Sequence, residues 1–500
     1  MTVDPTTFRF KDGLLVPTSL GYHAVSDKGR RQSPKSRVKP EFSQLTARDR
    51  SSLDATIQDL PRNFELAAWM VRMHVEYVSQ FELYVNTGDE DLDKILEDLF
   101  DWHAHKDRFD VARRHGRDEA MRLFEIAKVF SGDAAFNRLP DGDLQLIPGR
   151  RIAKPTKFIN NKATQELLKT VNDRGLIVDK TTGRVLKACM CHWSDDGNHL
   201  EFDHLEEWEN LIYDGYFTDA DQDRGVSPIA SAVNRMTDTM EALEWTNLKI
   251  KLHALFGVAF GREGAEGSPF GSSPDTEDVR GATDTTQPGR TVTPAKGIMT
   301  FDLEPGETID TVESKTPASE FVDYTGLSIR LSMLALDIPY TMFDSRASSY
   351  SARIADSNVY EFMSIPKRSK NQATLKSYSD WKVSEWMRAR SKMFAPLRDR
   401  ASAIGMSMLD VQKAVSWVGR QLPWIDKLKQ IEGDEKAVAL GIDSRTRITR
   451  RRGLGPWREI AEELGKEEAM AAEYGATLGI GSPGQETTSA RDVKTITKDR

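Results

Sequence analysis

Cysteine is nearly absent from this chain of 500 residues, which holds only Cys189 and Cys191. A single residue lies between them, too few for an unstrained bridge, so no disulfide framework is expected and a reducing compartment suits the chain. Also missing is any uninterrupted apolar stretch of about 18 residues, the length a membrane-spanning helix needs. The first residues, MTVDPTTFRFKDGLLV, lack a basic region followed by an apolar core, and the expectation is a soluble cytoplasmic product with no membrane span. No G-x-x-x-x-G-K-[ST] phosphate loop occurs, so the chain is not expected to hydrolyse ATP. A surplus of positive charge is missing too: 69 Lys and Arg stand against 77 Asp and Glu, a net charge of -8. Proteins that clamp nucleic acid by neutralising phosphates are basic, so any DNA contact here is light or local.

What is present suits a globular protein of more than one domain, with 39% hydrophobic residues to build a core. Residues 1–50 are polar, and their basic run of Lys28, Arg30, Arg31, Lys35, Arg37 and Lys39 lacks helical apolar spacing. They read as a flexible basic arm that orders against a neighbour. From Ser51 to Phe130 apolar residues recur at helical intervals: Phe64, Ala67, Ala68, Val71, Val75 and Val78 mark one face, and Leu92, Ile95, Leu96 and Leu99 another. Two or three packed helices follow from that. The period then changes. RLPDGDLQLIPG holds Asp141-Gly142 between short extended runs, and RGLIVDKTTGRVLKACMCHW alternates around a Thr-Thr-Gly turn, so both read as β-hairpins.

Ser227-Pro228 forms an N-cap and first-turn proline pair, and no Gly or Pro interrupts the chain again until Gly257. The spacing predicts one helix over 227–260 with Ile229, Val233, Met236, Met240 and Leu243 in a single apolar stripe. Residues 261–316 are dense in Gly, Ser, Thr and Pro and read as an exposed insertion. A second helical segment, 317–343, opens at Thr316-Pro317 and carries Phe321, Tyr324, Leu327, Leu331 and Leu334. Its helix stops at Asp337-Ile338-Pro339, because a residue before proline avoids the α region. A polar stretch, 344–351, precedes a helical run from Ala352 to about Met393, with a kink expected at Pro366. Short helices with glycine stops fill most of the remainder, and residues 476–500 read as a disordered tail. The class is α+β, predominantly α.

Two candidate sites stand out by residue type. Cys189, Cys191, His192, His199 and His204 form a soft-ligand cluster, and a zinc-dependent enzyme built on it is one reading. The spacing is not C-x-x-C, however, and a strand would turn both cysteines to one face and His192 to the other. Buried cysteines acting as small apolar residues fit better, so no metal and no cofactor is expected. Residues 436–464 suggest a helix, a glycine turn and a basic second helix, outwardly a helix-turn-helix DNA binder. Its arginines, Arg445, Arg447, Arg450, Arg451 and Arg452, would then meet phosphate, although a charge run on a helix is more often a solvated face.

Three segments occur in a telling order: GVSPIASAV, then LDIPYTMFDSRASSYSARIADSNVYEF, then LPWIDKLKQIEGDEKAVALGIDSRTRITRRRGLG. Together they resemble the lambda family of tailed-bacteriophage portal proteins. That family has a G-V-S-P helix start, a G-[VL]-P-Y-x-x-L segment with a Y-S-S-x-R tunnel element, and a tryptophan segment leading to A-x-x-x-G-[IL]-x-[ST]. Here the tunnel element reads Ser349-Tyr350-Ser351-Ala352-Arg353, and Leu336-Asp337 stands where glycine is common. The resemblance spans about residues 64–465 and implies a portal fold with long stem helices, a mixed α/β wing, an inserted clip, a tunnel loop and helix, and a helical crown.

The resemblance assigns 51–226 to the wing, 227–260 to the first stem helix, 261–316 to the clip and 317–343 to the second stem helix. It assigns 344–351 to the tunnel loop, 352–425 to the tunnel helix and the return to the wing, and 426–475 to the crown. It implies a non-enzymatic homo-oligomeric ring, usually a dodecamer, at the portal vertex of a virion, assembled in the host bacterial cytoplasm. The partners it implies are double-stranded DNA passing without sequence preference, the terminase large subunit, the major capsid or scaffolding protein, and a head-tail adaptor, with no membrane. The residues it turns toward DNA are Asp344, Ser345, Arg346, Ser348, Ser349, Tyr350, Ser351 and Arg353. The arginines of 445–452 would meet packaged DNA inside the head. Sparse basic groups among serines suit passage, because each tight phosphate contact adds to the barrier for sliding.

Overall fold

The structure, a computed structural model, describes residues 8–11, 14–17, 45–157, 159–255, 294–295, 298–299, 319–344, 346, 349–422 and 426–474. Helices dominate, and the strands lie in antiparallel sheets of two or three. The chain therefore belongs to the α+β class, predominantly α. It divides into two compact units, one of Met1–Leu53, Arg150–Trp208 and Phe217–Gly225, the other of Asp54–Gly149, Glu209–Tyr216 and Val226–Arg500. The insertion expected over 261–316 lies outside the described residues except for Pro294–Ala295, which pairs with Ile298–Met299. The basic run Lys28–Lys39 and the tail 476–500 lie wholly outside them. Within the expected arm, Phe8–Lys11 pairs antiparallel with Leu14–Pro17 and a helix begins at Ala47, while 1–7, 12–13 and 18–44 lie outside the described residues. The Asp12-Gly13 dipeptide between two short apolar-containing runs is a common signature of such a hairpin.

The smaller unit is built on one sheet, with Val185–Trp193 between Leu176–Val178 and Leu200–Glu207. Leu168, Val171, Cys189 and Cys191 form its buried core, with Ile177, Leu200, Phe202 and Leu205 packed around them. The helix Lys162–Lys169 that brings Leu168 there is capped by the Asn161 carboxamide, which accepts from the Ala163 N–H at 2.9 Å. Gly175 adopts φ 81°, and a Cβ there would lie 2.6 Å from the Ala153 backbone. Only glycine joins the sheet to the preceding loop at that distance.

In the larger unit, Asp133–Arg138 is the central strand between Leu144–Pro148 and Leu211–Gly215. Gly142, at φ 95°, makes the turn of the first hairpin. A two-stranded sheet pairs Phe81–Val85 with Val415–Gly419. Around these pack the helices Glu65–Val78, Glu90–Ala104, Arg117–Ser131, Ala395–Ala403 and Met408–Ala414, together with the 39-residue helix Tyr350–Arg388. Phe100 stands edge-on to Trp386 at 4.8 Å and to Trp417 at 6.3 Å, and Phe124 stacks on Phe136 at 4.7 Å. Each such fully buried side chain contributes about 1.5–3 kcal/mol of apolar transfer.

The same core carries buried charge. Lys128 bridges Glu125 at 2.8 Å and Asp214 at 2.7 Å, and all three side chains are largely or wholly inaccessible. Asn371 of the long helix donates to Glu125 and to the Val78 carbonyl and accepts from Lys128. His74 reaches Glu125 at 3.3 Å. Burial alone would raise the Glu125 carboxyl, but Lys128 and His74 hold it well below the carboxylate range, while burial lowers His74. A second polar site lies nearer the helix C-terminus. The Gly142 carbonyl accepts from Lys382 at 2.8 Å and meets His103 at 3.3 Å, and burial holds His103 down at about 3.

The expected helix over 227–260 begins later. Residues 228–232 form turns, and the helix runs Val233–Leu255, because the Ser227 hydroxyl donates to the Val129 carbonyl instead of capping. Its stripe is buried at Ile229, Val233 and Met236, while Trp245, Leu248 and Ile250 further along are exposed. The next helix, Ser319–Met333, meets it through the hydroxyls of Thr239 and Ser328, 2.6 Å apart. Here the apolar stripe points the other way. Ser328 and Ser332 are buried, whereas Tyr324, Leu327, Leu331 and Leu334 are exposed. Asp337, in the left-handed region at φ 60°, ends the element before Pro339. Pro366 lies within the continuous helix Tyr350–Arg388, which ends before the expected Met393. Among the described residues, no helix is long and apolar enough to cross a membrane.

Candidate nucleic-acid interface

The polar stretch 344–351 is less of a loop than its composition suggests. Asp344 accepts from the Arg346 N–H at 2.9 Å, fixing a local turn. Ser349 is an N-cap whose hydroxyl accepts from the Ala352 N–H at 3.3 Å, so Tyr350, Ser351 and Arg353 sit in the first turn of the long helix. Ser345 and Ser348 lie outside the described residues. Arg346, Ser349, Tyr350 and Ser351 are exposed. Arg353 is half-buried, and its Nε is without a hydrogen-bond partner among the described residues. Lys429 lies 5.7 Å from the Tyr350 ring. The arrangement gives one exposed guanidinium, one poised at a helix start and a set of hydroxyls, enough for weak and exchangeable contacts to an anion.

The arginines of 445–452 divide. Three short helices, Lys427–Ala439, Arg445–Arg451 and Trp457–Glu473, surround them. Arg450 is buried, pairs with Glu97 at 3.1 Å, donates to the Leu83 carbonyl and lies 4.6 Å from the Tyr84 ring. It fastens its helix to the Phe81–Val85 strand and is withdrawn from any phosphate, a correction to the sequence reading. Arg451 pairs with Asp443 and Arg452 with Asp434, so both are largely neutralised within the chain. Arg445 and Arg447 remain exposed, with Arg445 5.3 Å from the Trp457 ring.

The Cys/His cluster does not converge. Cys189 and Cys191 are buried free thiols, and the hydrogen bond between them together with burial pushes the Cys189 thiol up. His192 is exposed and pairs with Asp203 at 2.5 Å, while His204 pairs with Glu206 at 3.1 Å. Among the described residues no group of three or more His, Cys, Asp or Glu is arranged to hold a metal.

One basic surface escapes the sequence reading because its parts lie far apart in the chain. Lys106, Arg108, Arg113 and Arg114 follow the Glu90–Ala104 helix, and Arg388, Arg390 and Lys392 end the long one. Arg108 lies 4.6 Å from the Trp102 ring and donates to the Trp102 carbonyl at 3.1 Å, and Trp102 in turn meets Phe394 edge-on at 6.4 Å. Through Trp102, Arg108 is thus linked to Phe394, two residues beyond Lys392. The runs HKDRFDVARRHGR and RARSK are visible as charge, but nothing in the sequence says that they meet.

The chain matches the family model "Phage portal protein, lambda family" over residues 28–361. No curated protein matches it by sequence. Among solved structures it resembles chains of gene transfer agent particles at 14% identity, each likeness covering 82% of this chain and 94% of the other. These are the virion of a native particle at a TM-score of 0.40, the neck of an empty particle computed with C6 symmetry at 0.41, and the neck of a native particle computed with C12 symmetry at 0.40. The family assignment rests on the sequence match and not on these likenesses.

Proposed function

Since the chain belongs to the lambda family of phage portal proteins, we propose that its subunits close a ring, a dodecamer, around the channel. Its role is that of the portal, the passage at a capsid vertex through which double-stranded DNA enters and leaves. The family match carries this reading. It is supported by the outward apolar faces of Ser319–Met333 and of the first half of Tyr350–Arg388, where Val359, Phe362, Met363 and Ile365 are exposed. Apolar patches of that kind on a single chain mark a missing partner, and head-to-tail contacts that close generate rings.

Within this reading, residues 51–226 and the return of 352–425 form the wing, Val233–Leu255 and Ser319–Met333 the stem, and 261–316 the clip that meets the terminase large subunit and later the head-tail adaptor. Asp344–Arg353 is the tunnel element facing DNA, 426–475 is the crown, and Arg445 and Arg447 are its DNA contacts. The major capsid or scaffolding protein receives the ring during assembly in the host bacterial cytoplasm, and the subunit acts as a conduit, not an enzyme. Negative-stain microscopy of the purified chain tests the ring: a round particle with a central hole is expected, and a monomer or dimer across several salts overturns it. Deleting 344–351 should leave rings intact and impair packaging or retention of DNA. Normal genome length in such particles would sink the tunnel assignment.

A further inference from the structure

We propose that the surface formed by Lys106–Arg114 and Arg388–Lys392 binds the phosphate backbone of duplex DNA without regard to sequence, apart from the tunnel element. The inference rests on the portal reading only for the presence of duplex DNA. None of Lys106, Arg108, Arg113, Arg114, Arg388, Arg390 and Lys392 lies within ion-pair distance of a carboxylate among the described residues. Several partly exposed arginines elsewhere are neutralised within the chain: Arg122 pairs with Glu76, Arg400 with Asp89, Arg420 with Glu82 and Arg458 with Glu462. Of the carboxylates close by, Asp107 pairs with His105 at 3.1 Å, and Asp143 feels the charges of Lys382 and Arg113. A cluster of cations in excess of its paired carboxylates attracts an external polyanion.

The surface is also held in shape. Arg113 adopts φ 55°, a conformation that a non-glycine residue keeps only when its surroundings impose it. Asp110 imposes it: its carbonyl accepts from the Arg113 N–H at 2.8 Å and its carboxylate from the Arg114 N–H at 3.1 Å. Two adjacent guanidinium groups are thereby presented from one fixed turn. Arg108, over the Trp102 ring, spends one donor on the Trp102 carbonyl. Five of the seven cations are arginines, the side chain whose planar fork matches phosphate oxygens in pairs. An acidic protein would need apolar anchors to dock firmly, and the large apolar side chains exposed here are only Val111 and Met393. A polyanion needs charge alone.

The test uses the full-length protein and short duplexes of several unrelated sequences, with binding followed by fluorescence anisotropy across a salt series. The fourfold variant Arg113→Ala/Arg114→Ala/Arg390→Ala/Lys392→Ala should lower the slope of log affinity against log salt by about 3–4, at about 0.9 per phosphate contact. The loss should be equal for every sequence, whereas Arg346→Ala should change the slope by about 1 at most. Arg113→Lys/Arg114→Lys/Arg390→Lys should restore most of the slope, which separates lost charge from damaged folding. A fourfold variant with the unaltered slope overturns the proposal. So does polyglutamate of equal charge binding as tightly as DNA, which would assign the surface to an acidic protein. Rings that form while the slope stays unchanged sink this surface alone. A chain that never forms rings sinks the portal reading, yet the slope can still be read on it.

Discussion

The two halves of the Tyr350–Arg388 helix occupy different surroundings. From Asn371 onward, Leu375, Tyr378, Ser379, Lys382, Val383 and Trp386 are all buried against elements of the same chain. Before Pro366 only Tyr360 and Ser364 are buried, while Phe362 is 70% and Val359 57% exposed. The helix Ser319–Met333 repeats the second pattern, with serines inside and leucines outside. One region is completed by its own sequence. The other leaves its apolar groups exposed, as expected of a subunit's edge in the proposed ring. The contrast explains how a helix can be continuous while its residues answer to two different partners.

The sharpest way to break the completed half is Glu125→Ala, which leaves Lys128 and its neighbours buried without their anion. Removing one partner of a buried pair costs about 3–5 kcal/mol, and urea unfolding of the chain should register a loss of that size. A smaller effect comes from acid. His103 is held down at about 3 by burial, so above its ordinary value of 6.5 both folded and unfolded forms are neutral and nothing is lost. Below 6.5 the unfolded chain takes up a proton that the folded one refuses, and stability falls by about 1.4 kcal/mol per pH unit toward pH 3. His103→Gln should flatten that slope in unfolding curves recorded between pH 7 and pH 4. The smallest effect on folding belongs to the unfinished edge. Leu327→Ser with Phe362→Ser should change single-chain stability by about 0.5 kcal/mol or less, as exposed substitutions do, yet abolish rings under the microscope. A large loss of stability with rings intact would erase the distinction between the two halves.

Much of this was legible in the sequence, for reasons that have limits. The hairpin at Asp141-Gly142 and the helices of 65–104 announce themselves through local chemistry, a turn dipeptide and a 3.6-residue period. The start at Ser227 misleads because a hydroxyl that suits a cap also suits a distant carbonyl, and only the fold chooses Val129. The stripe Tyr324, Leu327, Leu331 and Leu334 is found correctly as a stripe, but periodicity cannot say whether its partner lies within the chain or beyond it. Arg450 looks like its exposed neighbours in a run of basic residues until Glu97, more than 350 positions earlier, is brought beside it. The basic surface fails for the same reason: its two halves are separated by the whole middle of the chain.

The continuity of the long helix bears on how its gene can change. Ser349 sets the phase at one end and Asn371 must meet Glu125 and Lys128 some six turns later. At 3.6 residues per turn, adding or deleting one residue between them rotates the far anchors by about 100°. Such a change would turn the carboxamide out of its buried setting even if every remaining residue were kept. The length of this stretch is therefore held more tightly than the identity of most of its residues.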